Sequence, residues 1–201
     1  RDEVQALGIS RTDLFYDEAY NQKCRERFFE AYPSYRGKKI ALWAPTFRKN
    51  AGTAELAGYD EISRLQEKLG EEWCVLIKVH PHMAKKYHVD NCMLPTEELY
   101  VVVDCLITDY SSVIFDYSIY QKPFFVFAPD YEAYMQERGC YINMEKDLPC
   151  TVMKNVEQLA EMILKKEENH QDINAFRKVF MTACEGNATK RIFEYIRSGE
   201  V

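Results

Sequence analysis

Short, almost continuous apolar runs recur along the chain at intervals of about 30 residues, with helix-like stretches between them. The runs at 39–44, 73–79, 105–108 and 123–127 read as buried strands, the first closed by Pro45 and the second stopped by His80-Pro81. Apolar residues at helical spacing mark 18–32, ended by Pro33 and Gly37, and 59–69 through Ile62, Leu65 and Leu69. Short helices are expected at 96–103 and 113–121, and longer ones at 156–168, 173–184 and 188–198. Residues 1–17 are mixed and polar and read as a linker, and 52–58 read as a loop. Strands alternating with helices predict βαβ units and a parallel sheet, and unbroken apolar strands predict a sheet covered on both faces. The fold class expected is therefore α/β, a doubly wound Rossmann-like parallel sheet. We divide the chain into a linker and helix (1–37) and a Rossmann-like domain (38–201).

Composition adds limits. With 201 residues, 47% hydrophobic and 13% aromatic, the chain is long enough for a core that needs no disulfide or metal staple. A net charge of −6 argues against a nucleic-acid partner, which needs a broad basic face. The seven cysteines are scattered without a C-x-x-C pair, which predicts reduced thiols in a cytoplasmic protein rather than a secreted framework or a zinc site. No apolar run approaches the length of a membrane span. An opening at Arg1 instead of Met leads us to expect a longer parent protein.

In doubly wound sheets, ligands sit outside the carboxyl ends of the strands. Three of the strands end in polar residues: Thr46 and Arg48 after the first, Lys78 and His80 after the second, and Asp109, Ser111 and Ser112 after the third. The two serines read either as helix N-caps or as phosphate ligands at a helix start. Lys78, flanked by Ile77 and Val79, needs an anion, which is either a ligand phosphate or Asp109. Pro81 holds His80 extended, so its ring points outward from the strand end, either as a packing or surface histidine or, beside Lys78 and Ser111 on one rim, as a phosphate contact. Arg48 suits two-pronged phosphate recognition. Asp109 orients either its own loop or a ligand hydroxyl, and Asp116 is either a surface acid in the first helical turn or a ribose or glycerol contact.

Taken together, Ala44-Pro-Thr-Phe-Arg48, Ile77-Lys-Val-His-Pro-His82 and Asp104-Cys-Leu-Ile-Thr-Asp-Tyr-Ser-Ser112, followed by Val113-Ile-Phe-Asp116, resemble the CDP-glycerol glycerophosphotransferase family of teichoic-acid priming and polymerisation. Lys122-Pro123, Asp130 with Tyr134, Arg138-Gly-Cys-Tyr141, Asp147-Leu-Pro149 and 186–191 continue the likeness in order. Two positions depart from it: Cys150 replaces a glycine after Leu-Pro, and Glu185 replaces an aspartate before Gly186.

The resemblance implies a GT-B architecture of two Rossmann-like halves, with this chain as the C-terminal half that holds the CDP-alcohol. It places Thr46, Arg48, Lys78, His80, Ser111 and Ser112 around the donor diphosphate, with Asp109 and Asp116 close by. His80 would act by stabilising charge, the general base and the lipid-linked acceptor site belonging to the other half. CDP-glycerol or a related CDP-alcohol enters as substrate; no separate cofactor and no metal is expected. The parent protein would be cytoplasmic and peripheral at the inner face of the membrane. Two other readings compete with this one: a GT-B sugar transferase using a nucleotide sugar for capsule or cell-wall glycan, and a non-catalytic nucleotide-binding domain.

Overall fold

Five strands, β1 (Lys39–Trp43), β2 (Trp73–Ile77), β3 (Cys105–Thr108), β4 (Phe124–Phe127) and β5 (Val152–Met153), pair in parallel in the order β2-β1-β3-β4-β5. The computed structural model describes residues 4–48, 56–165 and 170–199. The expected loop at 52–58 and the helix expected at 156–168 thus lie partly outside the described residues.

Alternate strand residues point to opposite faces, and each face has its own cover. On one side Ile40, Leu42, Leu106 and Phe124 pack against α1 (Glu18–Ala31), α5 (Thr96–Leu99), α6 (Val113–Ser118) and α9 (His170–Phe180) through Phe28, Leu99, Tyr117 and Phe176. On the other, Ala41, Trp43, Ile107 and Phe127 pack against α2 (Tyr59–Ile62), α3 (Leu65–Leu69), α4 (Pro81–Tyr87) and α8 (Val156–Leu164) through Ile62, Leu65, Met83 and Leu159. Covered on both faces, β3 and β4 are buried at every position. That is why their sequence shows no polar alternation.

The amino-terminal segment is not a bare linker. Residues Ser10–Tyr16 form a 3-10 helix that buries Thr12 and Phe15, and Phe15 joins the same core cluster as Phe28 of α1. The Asp13 carboxylate accepts the Ala188 and Thr189 backbone N–H groups at 2.9 and 2.8 Å, capping α10 (Ala188–Ser198). The boundary drawn at residue 38 therefore does not separate two packing units.

Local chemistry explains the other differences. The helix expected at 59–69 breaks at Ser63, whose hydroxyl donates to the Asp60 carbonyl at 2.7 Å while Arg64 N–H closes a tighter turn onto Glu61. The helix expected at 113–121 stops after Ser118 and continues as 3-10 turns to Gln121, which sits at φ 54°. Pro81, read as a strand stop, also starts α4, because its missing N–H belongs to the unpaired first turn of a helix. A further helix, α7 (Tyr131–Glu137), follows β4.

Candidate functional site at the sheet's carboxyl rim

In the order β2-β1-β3-β4-β5, the winding reverses between β1 and β3, so the chains leaving these two strands open a crevice. Thr46 and Arg48 leave β1, Asp109–Ser112 leave β3, and Lys78 and His80 leave β2 beside β1. The three polar segments thus share one rim.

Two contacts lace the rim together. Asp109 Oδ1 accepts the backbone N–H of Thr46 and of Tyr110, each at 2.7 Å, joining the β1 and β3 loops. The rings of Phe47 and His80 stack with centroids 4.2 Å apart, joining the β1 and β2 loops. His80 caps α4, its Nδ1 accepting the His82 N–H at 3.3 Å. A ring nitrogen that accepts leaves the imidazole proton on Nε2.

Arg48, expected to offer its guanidinium to phosphate, is caged. Its Nη2 donates to Asp109 Oδ2 at 2.9 Å and to Asp130 Oδ1 at 3.3 Å, and its Nη1 donates to Asp130 Oδ2. The Tyr110 and Tyr134 rings lie 5.0 and 5.1 Å from Cζ and stack on each other at 3.5 Å, 3° from parallel. Burial works against the Arg48 charge, but the hydrogen bonds to Asp130 and Asp109 outweigh it and hold its pKa above the ordinary value. Burial, reinforced by the Asp130 charge, pushes the Tyr110 phenol well up and keeps it a donor, and its hydroxyl donates to Asp130 Oδ1 at 3.1 Å.

Other expected partners also differ. Lys78 makes no ion pair with Asp109 among the described residues; its Nζ donates to the Cys92 carbonyl at 2.8 Å. Asp116 is a buried acid held by Arg11, whose Nε and Nη2 reach its two oxygens at 3.0 and 3.2 Å. Thr46 Oγ1 is sealed from solvent and has no partner among the described residues. Ser112 stands at the start of α6 without a side-chain cap bond, and Ser111 Oγ accepts Val113 N–H only at the long distance of 3.5 Å. Both serines and Asp109 line a cavity of about 260 Å³, together with Cys140, Ile142 and Met144. Of the expected residues, Asp109, Ser111 and Ser112 meet at this cavity; Thr46, Arg48, Lys78 and His80 stand along the rim outside its lining. The cage residues Tyr110, Asp130 and Tyr134 entered the sequence reading only as parts of the family likeness, with no role assigned; an acid three residues after the buried β4 run was the available signal.

The sequence profile described as CDP-glycerol:poly(glycerophosphate) glycerophosphotransferase matches residues 1–198. Among curated proteins, a teichoic acid ribitol-phosphate primase of Bacillus spizizenii is 33% identical over 98% of this chain and 53% of its own length. A teichoic acid poly(ribitol-phosphate) polymerase of the same organism is 31% identical over 96% of this chain and 33% of its own. Among solved structures, a variant of the wall teichoic acid polymerase TagF with CDPG superposes with a TM-score of 0.77 at 28% identity, over 98% of this chain and 51% of that one. The chain thus spans about a third to a half of the length of these relatives. A doubly wound half with the switch-point rim, and a profile that fits it almost end to end, place this chain in the CDP-glycerol:poly(glycerophosphate) glycerophosphotransferase family.

Proposed function

We propose that this chain is the donor-binding half of a transferase that moves a polyol phosphate from a CDP-linked polyol to a hydroxyl acceptor in teichoic-acid-like polymer synthesis. The observation that carries the reading is the rim at the β1/β3 reversal, where Ser111 and Ser112 line a cavity and His80 stands along the same rim. In the reaction, the acceptor oxygen attacks the phosphorus that bears the polyol. A new phosphodiester forms, the bond to the CMP phosphate breaks, and the acceptor proton passes to a base in another part of the protein. Such a transfer depends on positioning and on neutralising developing charge. His80, held by Phe47 and by its bond to His82 N–H, presents its Nε2–H for that purpose.

Glycerol phosphate is the transferred group in the family's description, whereas the two curated relatives above are named for ribitol phosphate. The ribitol donor is therefore the second reading. The acceptor is lipid-linked, and the parent protein sits at the inner face of the membrane through that acceptor; among the described residues no helix is long and apolar enough to cross a bilayer.

Calorimetric titration with CDP-glycerol, CDP-ribitol, CMP and UDP-sugars tests the reading. Binding of a CDP-polyol and of CMP, with UDP-sugars excluded, is expected. Binding of UDP-sugars alone would sink it in favour of a nucleotide-sugar transferase. In the full-length protein, His80→Ala should lower kcat/KM by ~10²-fold, about 2.7 kcal/mol. Unchanged turnover would favour a non-catalytic domain.

A further inference from the structure

We propose that Asp130 is a positioning residue of the donor site, acting through Arg48 and Tyr110 on the loop that carries Ser111 and Ser112, and that Arg48 itself does not touch the donor. The proposal rests on the donor-binding reading above.

Charge is the first argument. The Arg48 side chain is 12% exposed and lies between the carboxylates of Asp109 and Asp130. One guanidinium facing two carboxylates leaves a local excess of negative charge, a poor lure for a diphosphate. Its Nη1 and Nη2 are turned toward acids, and the stacked Tyr110–Tyr134 pair lies beside it, with both ring centroids about 5 Å from Cζ.

The position of Asp130 is the second argument. It occupies the N-cap of α7, where an aspartate ordinarily accepts a backbone N–H and contributes about 1 kcal/mol. Here its side chain makes no capping bond and is spent on Arg48 and on the Tyr110 hydroxyl. The local helix forgoes a stabilising contact so that the cage can close.

Connectivity is the third. Tyr110 is the residue before Ser111, and its ring is fixed by Tyr134, Arg48 and Asp130, while its backbone N–H is fixed by Asp109. A change at Asp130 thus reaches the serine hydroxyls through one residue.

The two roles predict opposite signs. If Arg48 gripped phosphate, Asp130→Asn would remove a competing negative charge and tighten donor binding. If Asp130 positions the loop, the same isosteric change weakens it. We would titrate the preferred CDP-polyol into wild type, Asp130→Asn, Arg48→Met and the double variant, with melting curves to confirm folding and near-ultraviolet circular dichroism to follow the stacked tyrosines. The expected result is a loss of about tenfold in each single variant, no further loss in the double, and an altered tyrosine signal. If Arg48→Met does not fold, Arg48→Lys takes its place; lacking the fork, it should weaken binding alike. Wild-type or tighter affinity in Asp130→Asn, multiplying losses in the double variant, or wild-type affinity in Arg48→Lys would overturn the positioning role. Absence of CDP-polyol binding by wild type would instead bring down the donor-binding reading, and this proposal with it.

Discussion

The ring of Phe47 lies on the imidazole of His80, the two planes 22° from parallel. Phe47 is itself 38% exposed, an unusual cost for a phenylalanine unless its ring has a task, and here it braces a side chain at the mouth of the crevice. Aromatic pairs of this kind contribute about 0.5–1.5 kcal/mol beyond their buried area. Phe47→Leu should therefore weaken CDP-polyol binding about threefold to tenfold, and Phe47→Trp should restore most of it. Equal losses in Leu and Trp variants would show that the stack does not hold His80.

Arg11 and Asp116 lie 105 residues apart in sequence and tie the amino-terminal 3-10 helix to α6. Burial raises the Asp116 pKa and the Arg11 hydrogen bond opposes that rise. Removing Arg11 leaves a buried carboxylate without its partner. Because the Arg11 side chain is 58% exposed, solvent screening limits the loss, and Arg11→Ala should cost about 1 kcal/mol at neutral pH. The sign with pH follows. A carboxyl whose folded pKa is raised loses stability as pH climbs from the ordinary value through the raised one, and the variant raises it further. Urea unfolding should thus show little difference between variant and wild type below the ordinary carboxylate range, where the acid is protonated in both, and a growing one above it. A difference independent of pH would assign the effect to lost packing of the arginine stem.

The four long strands were legible because burial on both faces leaves nothing polar between Ile40 and Ala44 or between Cys105 and Ile107, a pattern that needs no partner to be recognised. The two-residue β5 and the helix hidden behind His80-Pro81 were not, since two residues carry no period and a proline at N1 looks like a stop. The rim was legible for the same reason as the strands, because polar residues at strand ends stand out. The direction of Arg48 was not. Its acids are 61 and 82 residues away, and only the folded sheet shows that two of them converge on one guanidinium. Lys78 illustrates the same blindness, since its carbonyl partner carries no side-chain signature at all.

Lys122 supplies a test in alkaline solution. Its ammonium donates to the carbonyls of Val101 and Val103 at 2.9 and 2.8 Å, closing the turn after α5. Burial depresses its pKa to about 8 from 10.5, Asp104 pulling the other way. Between these values the unfolded chain holds a proton that the folded chain has shed, so stability rises with pH across that window. Measured against Lys122→Met, wild type should gain about 2 kcal/mol between pH 7.5 and 9.5. A flat difference over that range would mean that the ammonium keeps its proton on the carbonyls of that turn.

Thr46 separates packing from binding at the rim. Its backbone N–H is committed to Asp109, while Oγ1 is sealed without a partner among the described residues. A buried hydroxyl without a hydrogen bond costs about 1–3 kcal/mol, and valine has nearly the same shape without that group. Thr46→Val should therefore raise stability by about 1 kcal/mol in urea unfolding. Since the hydroxyl is closed off from the crevice, the variant should bind the CDP-polyol as wild type does. A stabilised variant with weakened binding would mean that the donor opens this corner of the rim and recruits the hydroxyl, the role the sequence had led us to expect for Thr46.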